Sequence, residues 1–444
     1  MNLKAFISII FLSIAVTVFS ENCTLRHSTL LLQQKTIENN SEDHEWAFAS
    51  QRDEIAPLHS KDKDGKFKGT TTLVLAGGGK EYANGGWVTV KDVQAGKYYR
   101  FKVSFQAEMV EQPDRTIYSS ILWLDENDKK VSMTEFPPTL EETTSDGFNI
   151  IEKVYQVPKG ASKARLELGY RWDADGSVCF GDFSFLEVDK PMPRNVKLAT
   201  VLHRPRNSKG SHDNLEQFAN LIDEAGKQQA DIICLPEAIT LVGTDQDYIS
   251  AAESIPGPST RFLGEVAKKH NMYIVAGLLE KEGEVVYNTA VLINRQGELA
   301  GKYRKVSLPR EEIEGGITPG DELPVFDTDF GKIGIMICWD VQFPEVSRSL
   351  AMKGAEVILL PIWGGDLTLT KARAIENQVY LVSSTYDMKS AVFDLKGNII
   401  GEATKSNPVV VTEVDLNEQV LWDWLGDLKN RVPREIPSKS SIEW

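Results

Sequence analysis

The chain has 444 residues, 41% hydrophobic and 25% charged, which are proportions of a folded protein long enough for two domains. A formal net charge of −15 argues against nucleic acid as a partner, because phosphate backbones are met by basic patches. Four cysteines in so long a chain do not make a disulfide framework.

Residues 1–20 read as a signal peptide. Lys4 supplies a short positive region, an apolar run extends from Ala5 to Phe19, and Val18-Phe19-Ser20 ends in a small residue suited to cleavage. The run is short for a membrane-crossing helix, and no long apolar segment follows it. The expectation is export to the extracellular space or periplasm, with no membrane span. A lipid anchor on Cys23 is the rival, weakened by Glu21-Asn22 where small residues are needed. Export permits a disulfide, and Cys23–Cys179 is the candidate clasp. Cys234 lies in the apolar run Ile232-Ile233-Cys234-Leu235 and reads as core.

Residues 21–190 alternate short strands with turns, as in Thr71 to Leu75, Tyr98 to Phe105, Ile117 to Trp123 and Ala164 to Tyr170. This spacing predicts an all-β sandwich. Gly77-Gly78-Gly79-Lys80 lacks the spacing of a phosphate loop, and Asp62-Lys63-Asp64-Gly65 lacks the register of a calcium loop. Gly85-Gly86-Trp87, the run from Val93 to Phe101, and Trp172 to Val178 leading into Phe183 resemble the galactose-binding-like jelly rolls that serve as carbohydrate-binding modules. That resemblance implies a glycan partner, with Trp46, Trp87, Trp123 and Trp172 as candidate stacking platforms. The plainer expectation for each tryptophan is a place in the core.

Residues 191–194, beginning Pro191-Met192-Pro193, read as a stiff linker. From 195 to 420 the pattern becomes strand–helix alternation, the signature of an α/β domain. Strands are expected at Val196 to Leu202, Ala230 to Leu235, Tyr273 to Leu278, Thr289 to Asn294, Ile333 to Ile337, Glu356 to Pro361 and Val379 to Ser384. Helices are expected at Asn214 to Ala225, at Ser259 to His270 with Ser259 or Thr260 as its cap, at Glu345 to Lys353 and at Leu369 to Glu376. Residues 421–444 form a tail containing Trp422, Trp424 and Trp444.

Three residues fall near strand exits, where α/β folds place their chemistry: Glu237, Lys305 and Cys338. Taken singly, each has a plainer reading: a solvated acid, a surface base and a core thiol. Together they supply a base for a thiol, a nucleophile, and a cation for the oxyanion that forms when sulfur attacks an acyl carbon. None of the six histidines stands near Cys338 in sequence, which weakens a Cys–His protease.

Leu235-Pro236-Glu237, Tyr303-Arg304-Lys305, Cys338-Trp339-Asp340 and Phe343-Pro344-Glu345 resemble the carbon–nitrogen hydrolase (nitrilase) superfamily in order and spacing. Tyr287-Asn288-Thr289-Ala290, the run from Arg373 to Gln378 and Phe393-Asp394-Leu395-Lys396-Gly397 fit as well. The resemblance implies a four-layer αββα sandwich, no metal or cofactor, and assembly as a homodimer or larger. It implies Cys338 as nucleophile, Glu237 as general base, Lys305 as oxyanion stabiliser and the Trp339 backbone N–H as a second donor. It also implies a second glutamate. Glu311, Glu312 and Glu314 compete, and Glu314 is preferred because Ile313-Glu314-Gly315 resembles the amidase form of that loop. Tyr303, Trp363 and Gly364 are the expected pocket residues. Ser307 departs from the pattern, since many members carry histidine near that place.

The function expected is that of an exported thiol amidohydrolase acting on a linear amide or N-carbamoyl compound. The alternatives are a nitrilase or amide acyltransferase using the same three residues, and a glycan-binding protein with a retired catalytic domain.

Overall fold

The computed structural model describes residues 46–440, apart from Asp64, Lys68, Gly69, Ser145, Asp146, Asp423 and Ser438. The expected signal peptide, residues 1–20, and Cys23 and Trp444 lie outside the described residues. The described chain forms two compact units, one holding residues 46–191 together with 422–440, the other residues 192–421. No described helix is long and apolar enough to cross a membrane.

The first unit is built from two antiparallel sheets. Its strands are β1 (Ala47–Ala49), β2 (Leu58–Asp62), β3 (Thr72–Ala76), β4 (Asn84–Asp92), β5 (Tyr98–Glu108), β6 (Ile117–Leu124), β7 (Thr139–Thr143), β8 (Asn149–Gln156), β9 (Lys163–Arg171) and β10 (Ser177–Val188). One sheet runs β1-β4-β9-β6 and the other β2-β3-β10-β5-β8-β7. Period-two patterning produces the core. On β9, Ala164, Leu166, Leu168 and Tyr170 are buried while the residues between are partly exposed, apart from the buried Gly169. They meet Phe101, Val103 and Phe105 of β5 and Phe180 of β10. Trp87 and Trp123 belong to this core, leaving Trp46 and Trp172 only partly covered.

The C-terminal segment is part of this unit. Asp427 pairs with Lys153 of β8 at 2.8 Å. The buried Arg434 guanidinium donates to the Ile117 carbonyl at 3.0 Å, and Arg115 donates to the Pro437 carbonyl at 3.3 Å.

The second unit has four layers. Its first sheet runs in the order β15 (Leu299–Arg304), β14 (Val285–Ile293), β13 (Tyr273–Glu282), β12 (Ile232–Cys234), β11 (Asn195–Val201), β22 (Val409–Asp415). Its second runs β16 (Val325–Asp327), β17 (Lys332–Ile335), β18 (Val357–Pro361), β19 (Tyr380–Ser384), β20 (Ser390–Phe393), β21 (Ile399–Ala403). In each sheet the central strands, β11–β12–β13 and β17–β18–β19, are parallel. These strands are covered on both faces, so they read as continuous apolar runs such as Val357 to Pro361.

Helices α1 (Ser211–Lys227) and α2 (Pro258–His270) cover the first sheet through Leu215, Phe218, Ile222 and Leu263. Past a short helix α3 (Arg310–Glu314), helices α4 (Pro344–Met352) and α5 (Leu367–Asn377) cover the second through Val346, Leu350 and Ala374. Each fully buried Leu or Ile contributes roughly 1.5–3 kcal/mol. The sheets are stitched together by polar contacts as well: Thr200 Oγ1 donates to the Ser383 carbonyl at 2.6 Å and Ser384 Oγ to the Cys234 carbonyl at 2.7 Å. Cys234 is core, and burial pushes its thiol up to about 12.

Helix α2 starts earlier than its hydroxyl residues suggest. Gly257 is the N-cap and Pro258 the first helical residue, a place where proline's missing N–H costs nothing. Thr260 acts from inside the first turn, accepting from the Gly257 N–H at 2.7 Å.

Candidate active site

Glu237 follows β12 after Leu235-Pro236. Strand β13 passes it so closely that a Cβ on Gly277 would lie 2.6 Å from the Glu237 Cα, so glycine is required there. The next residue, Ala238, has φ 47°, a left-handed conformation that turns the chain sharply after the glutamate. Lys305 is the first residue past β15, and its backbone N–H donates to the Asn288 carbonyl at 2.8 Å. Cys338 begins a single 3-10 turn, Cys338–Gln342, between β17 and α4. It too is left-handed, with φ 45°. A non-glycine residue held there is strained, and such strain gathers at functional positions.

Buried polar bonds hold this turn. The Asp340 carboxylate accepts from the Tyr303 hydroxyl at 2.7 Å, the Ile337 N–H at 2.9 Å and the Ser307 N–H at 3.0 Å. It therefore ties the exit carrying Cys338 to the exit carrying Lys305. Arg373 of α5 donates to the carbonyls of Val341 at 3.0 Å and Gln342 at 3.3 Å.

The three expected residues converge. Lys305 Nζ donates to Glu237 Oε1 at 3.0 Å and also to Glu312 Oε1. Asn288 Nδ2 donates to the same Glu237 oxygen at 2.7 Å and to Glu312 Oε2 at 3.3 Å. The other Glu237 oxygen accepts from the Trp363 N–H at 3.1 Å. The Cys338 thiol lies 4.0 Å from the Gly364 carbonyl oxygen and within reach of the Glu237 charge. Glu237, Lys305 and Glu312 are almost wholly buried, whereas Cys338 is half-buried.

Burial alone would lower the Lys305 ammonium, but the carboxylate charges of Glu237 and Glu312 outweigh it and raise it, so Lys305 stays a cation. Burial and then the Glu237 charge push the Cys338 thiol up, against the pull of Lys305. The resting thiol therefore keeps its proton, and the carboxylate beside it is placed to take it. Burial also lifts the Glu312 carboxyl, opposed by Lys305.

Two expectations are corrected. The second glutamate at the site is Glu312. Glu314 points away, well exposed and paired with Arg310 at 2.6 Å. Tyr303 is buried and engaged with Asp340, so it supports the Cys338 turn from behind and does not line a substrate space. Trp363 and Gly364 lie at the site, and the Trp339 side chain is exposed beside the thiol. Asn288 and Asp340 stand in motifs visible in the sequence, but their bonding roles are not written in the motifs. Among the described residues no cluster of His, Cys, Asp or Glu is arranged to hold a metal ion.

A thiol, a carboxylate and a buried ammonium meet at strand exits of a four-layer sandwich, an arrangement suited to attack by sulfur on an acyl carbon. Residues 199–423 match the carbon-nitrogen hydrolase family, and the chain belongs to that family. It is an enzyme acting on carbon–nitrogen bonds other than peptide bonds. The omega-amidase NIT2 of Bos taurus is 31% identical over 259 residues, spanning 52% of this chain and 91% of that protein. A nitrilase of Pyrococcus abyssi is 37% identical over 242 residues, spanning 50% of this chain and 90% of that protein. Among solved structures, Saccharomyces cerevisiae Nit3, a member of branch 10 of the nitrilase superfamily, is 27% identical with a TM-score of 0.44, covering 50% of this chain and 90% of that one.

Proposed function

We propose that this protein is an exported amidohydrolase that cleaves a linear amide or N-carbamoyl compound through a thioester on Cys338. The observation that carries the reading is the Lys305 ammonium held against Glu237 beside the thiol. Glu237 takes the Cys338 proton as sulfur attacks the carbonyl carbon. The oxyanion is met by Lys305 and the Trp339 N–H. The amine leaves with the proton that Glu237 returns. Water, deprotonated by Glu237, then attacks the thioester and frees the acid and the thiol. Glu312 and Asn288 keep Glu237 and Lys305 in place.

The omega-amidases at about 30% identity support an amide, and the Pyrococcus nitrilase makes a nitrile the competing substrate. The test is a panel of small amides, carbamoyl compounds and nitriles against the wild type, Cys338→Ala, Lys305→Ala and Glu237→Ala. Full activity in Cys338→Ala would sink the proposal, and a nitrile preferred over every amide would make it a nitrilase.

Export rests on residues 1–20. The first unit is read as a galactose-binding-like jelly roll that holds a glycan near the enzyme. A cavity of about 300 Å³ lined by Trp46, Phe183, Lys61 and Asp182 supports this, since it sets aromatic faces beside polar groups. Binding of the full chain to a polysaccharide array, lost in Trp46→Ala, is the expected result. Assembly as a homodimer or larger is read from the family and is checked by light scattering.

A further inference from the structure

Buried polar groups find partners, and three buried tyrosines of the second unit follow this rule. Tyr303 bonds to Asp340, Tyr380 to Glu418 and Tyr386 to the Glu237 carbonyl. Tyr248 differs: it is half-buried, its hydroxyl is not among the buried unpaired atoms, and it has no hydrogen-bond partner among the described residues.

Its ring is set among the loops that carry the reacting groups. It lies against Gly315, where an added Cβ would fall 2.5 Å from the ring, and Gly315 ends the short helix bearing Glu312. It packs on the apolar cluster that includes Ala238, the neighbour of Glu237, and Leu308, three residues beyond Lys305, packs there too. Burial keeps the phenol protonated, and the charges of Glu312, Glu237 and Lys305 reach it. An uncharged hydroxyl with an open valence, on a ring packed between the segments that carry Glu237, Lys305 and Glu312, is a group whose partner arrives with the substrate.

We propose that Tyr248 contacts the substrate, its hydroxyl hydrogen-bonding to the substrate's amide group on the Glu312 side of Cys338. This rests on the amidohydrolase reading and adds a selectivity residue to it. Lys305 and Trp339 serve the oxyanion, while Tyr248 distinguishes an amide from a group of similar size that cannot hydrogen-bond.

The test is alkylation of Cys338 in the full-length protein, followed by mass spectrometry, with iodoacetamide and with iodoethane. Only the first carries an amide. In Tyr248→Phe, which keeps the ring, iodoacetamide is expected to react about 3–10-fold more slowly, the loss of one neutral hydrogen bond, with iodoethane unchanged. The pH dependence of alkylation stays as in the wild type, whereas a tyrosine that merely supported Glu312 would shift it. Equal effects on both reagents, no effect on either, or a shifted pH profile would overturn the proposal. Alkylation needs no turnover. A protein that labels as expected but hydrolyses nothing on the panel would therefore count against the amidohydrolase reading and leave the Tyr248 contact standing.

Discussion

Lys305 and Glu237 form an ion pair at 3.0 Å in which neither side chain is more than 5% exposed. Two charges are placed so deep only if each satisfies the other and further bonds complete them. Here Glu312 and Asn288 do so. Lys305→Met removes the cation and leaves two carboxylates facing one another. We expect a loss of about 3–5 kcal/mol in urea unfolding, together with loss of activity. Adding Glu312→Gln should restore part of the stability and none of the activity. A Lys305→Met loss below about 1 kcal/mol would show that the pair is not the buried unit described.

Cys338 should stay a thiol across the neutral range. Its ordinary value is 9.0, and burial and the Glu237 charge move it upward. The difference in ultraviolet absorbance between wild type and Cys338→Ser should show no thiolate step between about pH 5 and 8. A step in that range would mean a preformed thiolate and would remove the need for Glu237 to act as base.

The Asp340 carboxylate ties two strand exits together through three accepted bonds. Asn in its place cannot accept all three: with its oxygen kept on Tyr303 and Ile337, its amide nitrogen faces the Ser307 N–H and leaves it unpaired. Asp340→Asn is expected to cost about 1–3 kcal/mol and to lower kcat more than it raises KM. Tyr303→Phe removes one bond and should cost less, about 1 kcal/mol. Denaturant unfolding with steady-state kinetics ranks the two, and the reverse order would contradict the geometry.

In the first unit Glu135 is buried, and burial followed by the Asp427 charge raises its carboxyl from 4.5 to about 7. The folded state then holds a proton that the unfolded chain gives up at lower pH. Its contribution is therefore present below about pH 4.5 and is lost as pH rises through about 7. Relative to Glu135→Gln, wild-type stability should fall by up to about 3 kcal/mol from pH 4.5 to 8. Parallel curves for the two proteins would show that Glu135 titrates normally.

Much of the second unit was legible in the chain because parallel strands buried on both faces are written as unbroken apolar runs. Ile333 to Ile337 and Glu356 to Pro361 lie within a residue or two of β17 and β18. Glu237 and Cys338 stood out for a local reason, since each lies three residues past the end of such a strand, whereas Lys305 follows the antiparallel edge strand β15 and stood out by its motif.

The second glutamate was not legible. Glu312 and Glu314 are two residues apart in one short helix, about 200° around its axis, so one must face inward and the other out. Both are acidic and both follow the same loop, and nothing local separates them. The choice is made by Lys305 and Asn288, which arrive from β15 and β14 and reward only the inward carboxylate. Tyr303 illustrates the same limit, because a motif tyrosine looks alike whether it faces a substrate or, as here, an aspartate 37 residues away. The sequence by itself determined the two-part layout and the alternating layers and singled out Glu237, Lys305 and Cys338, because these follow from patterns along a few residues. Only the tertiary structure decided which glutamate joins them and what holds the Cys338 turn, because buried charges are assigned by partners from distant strands.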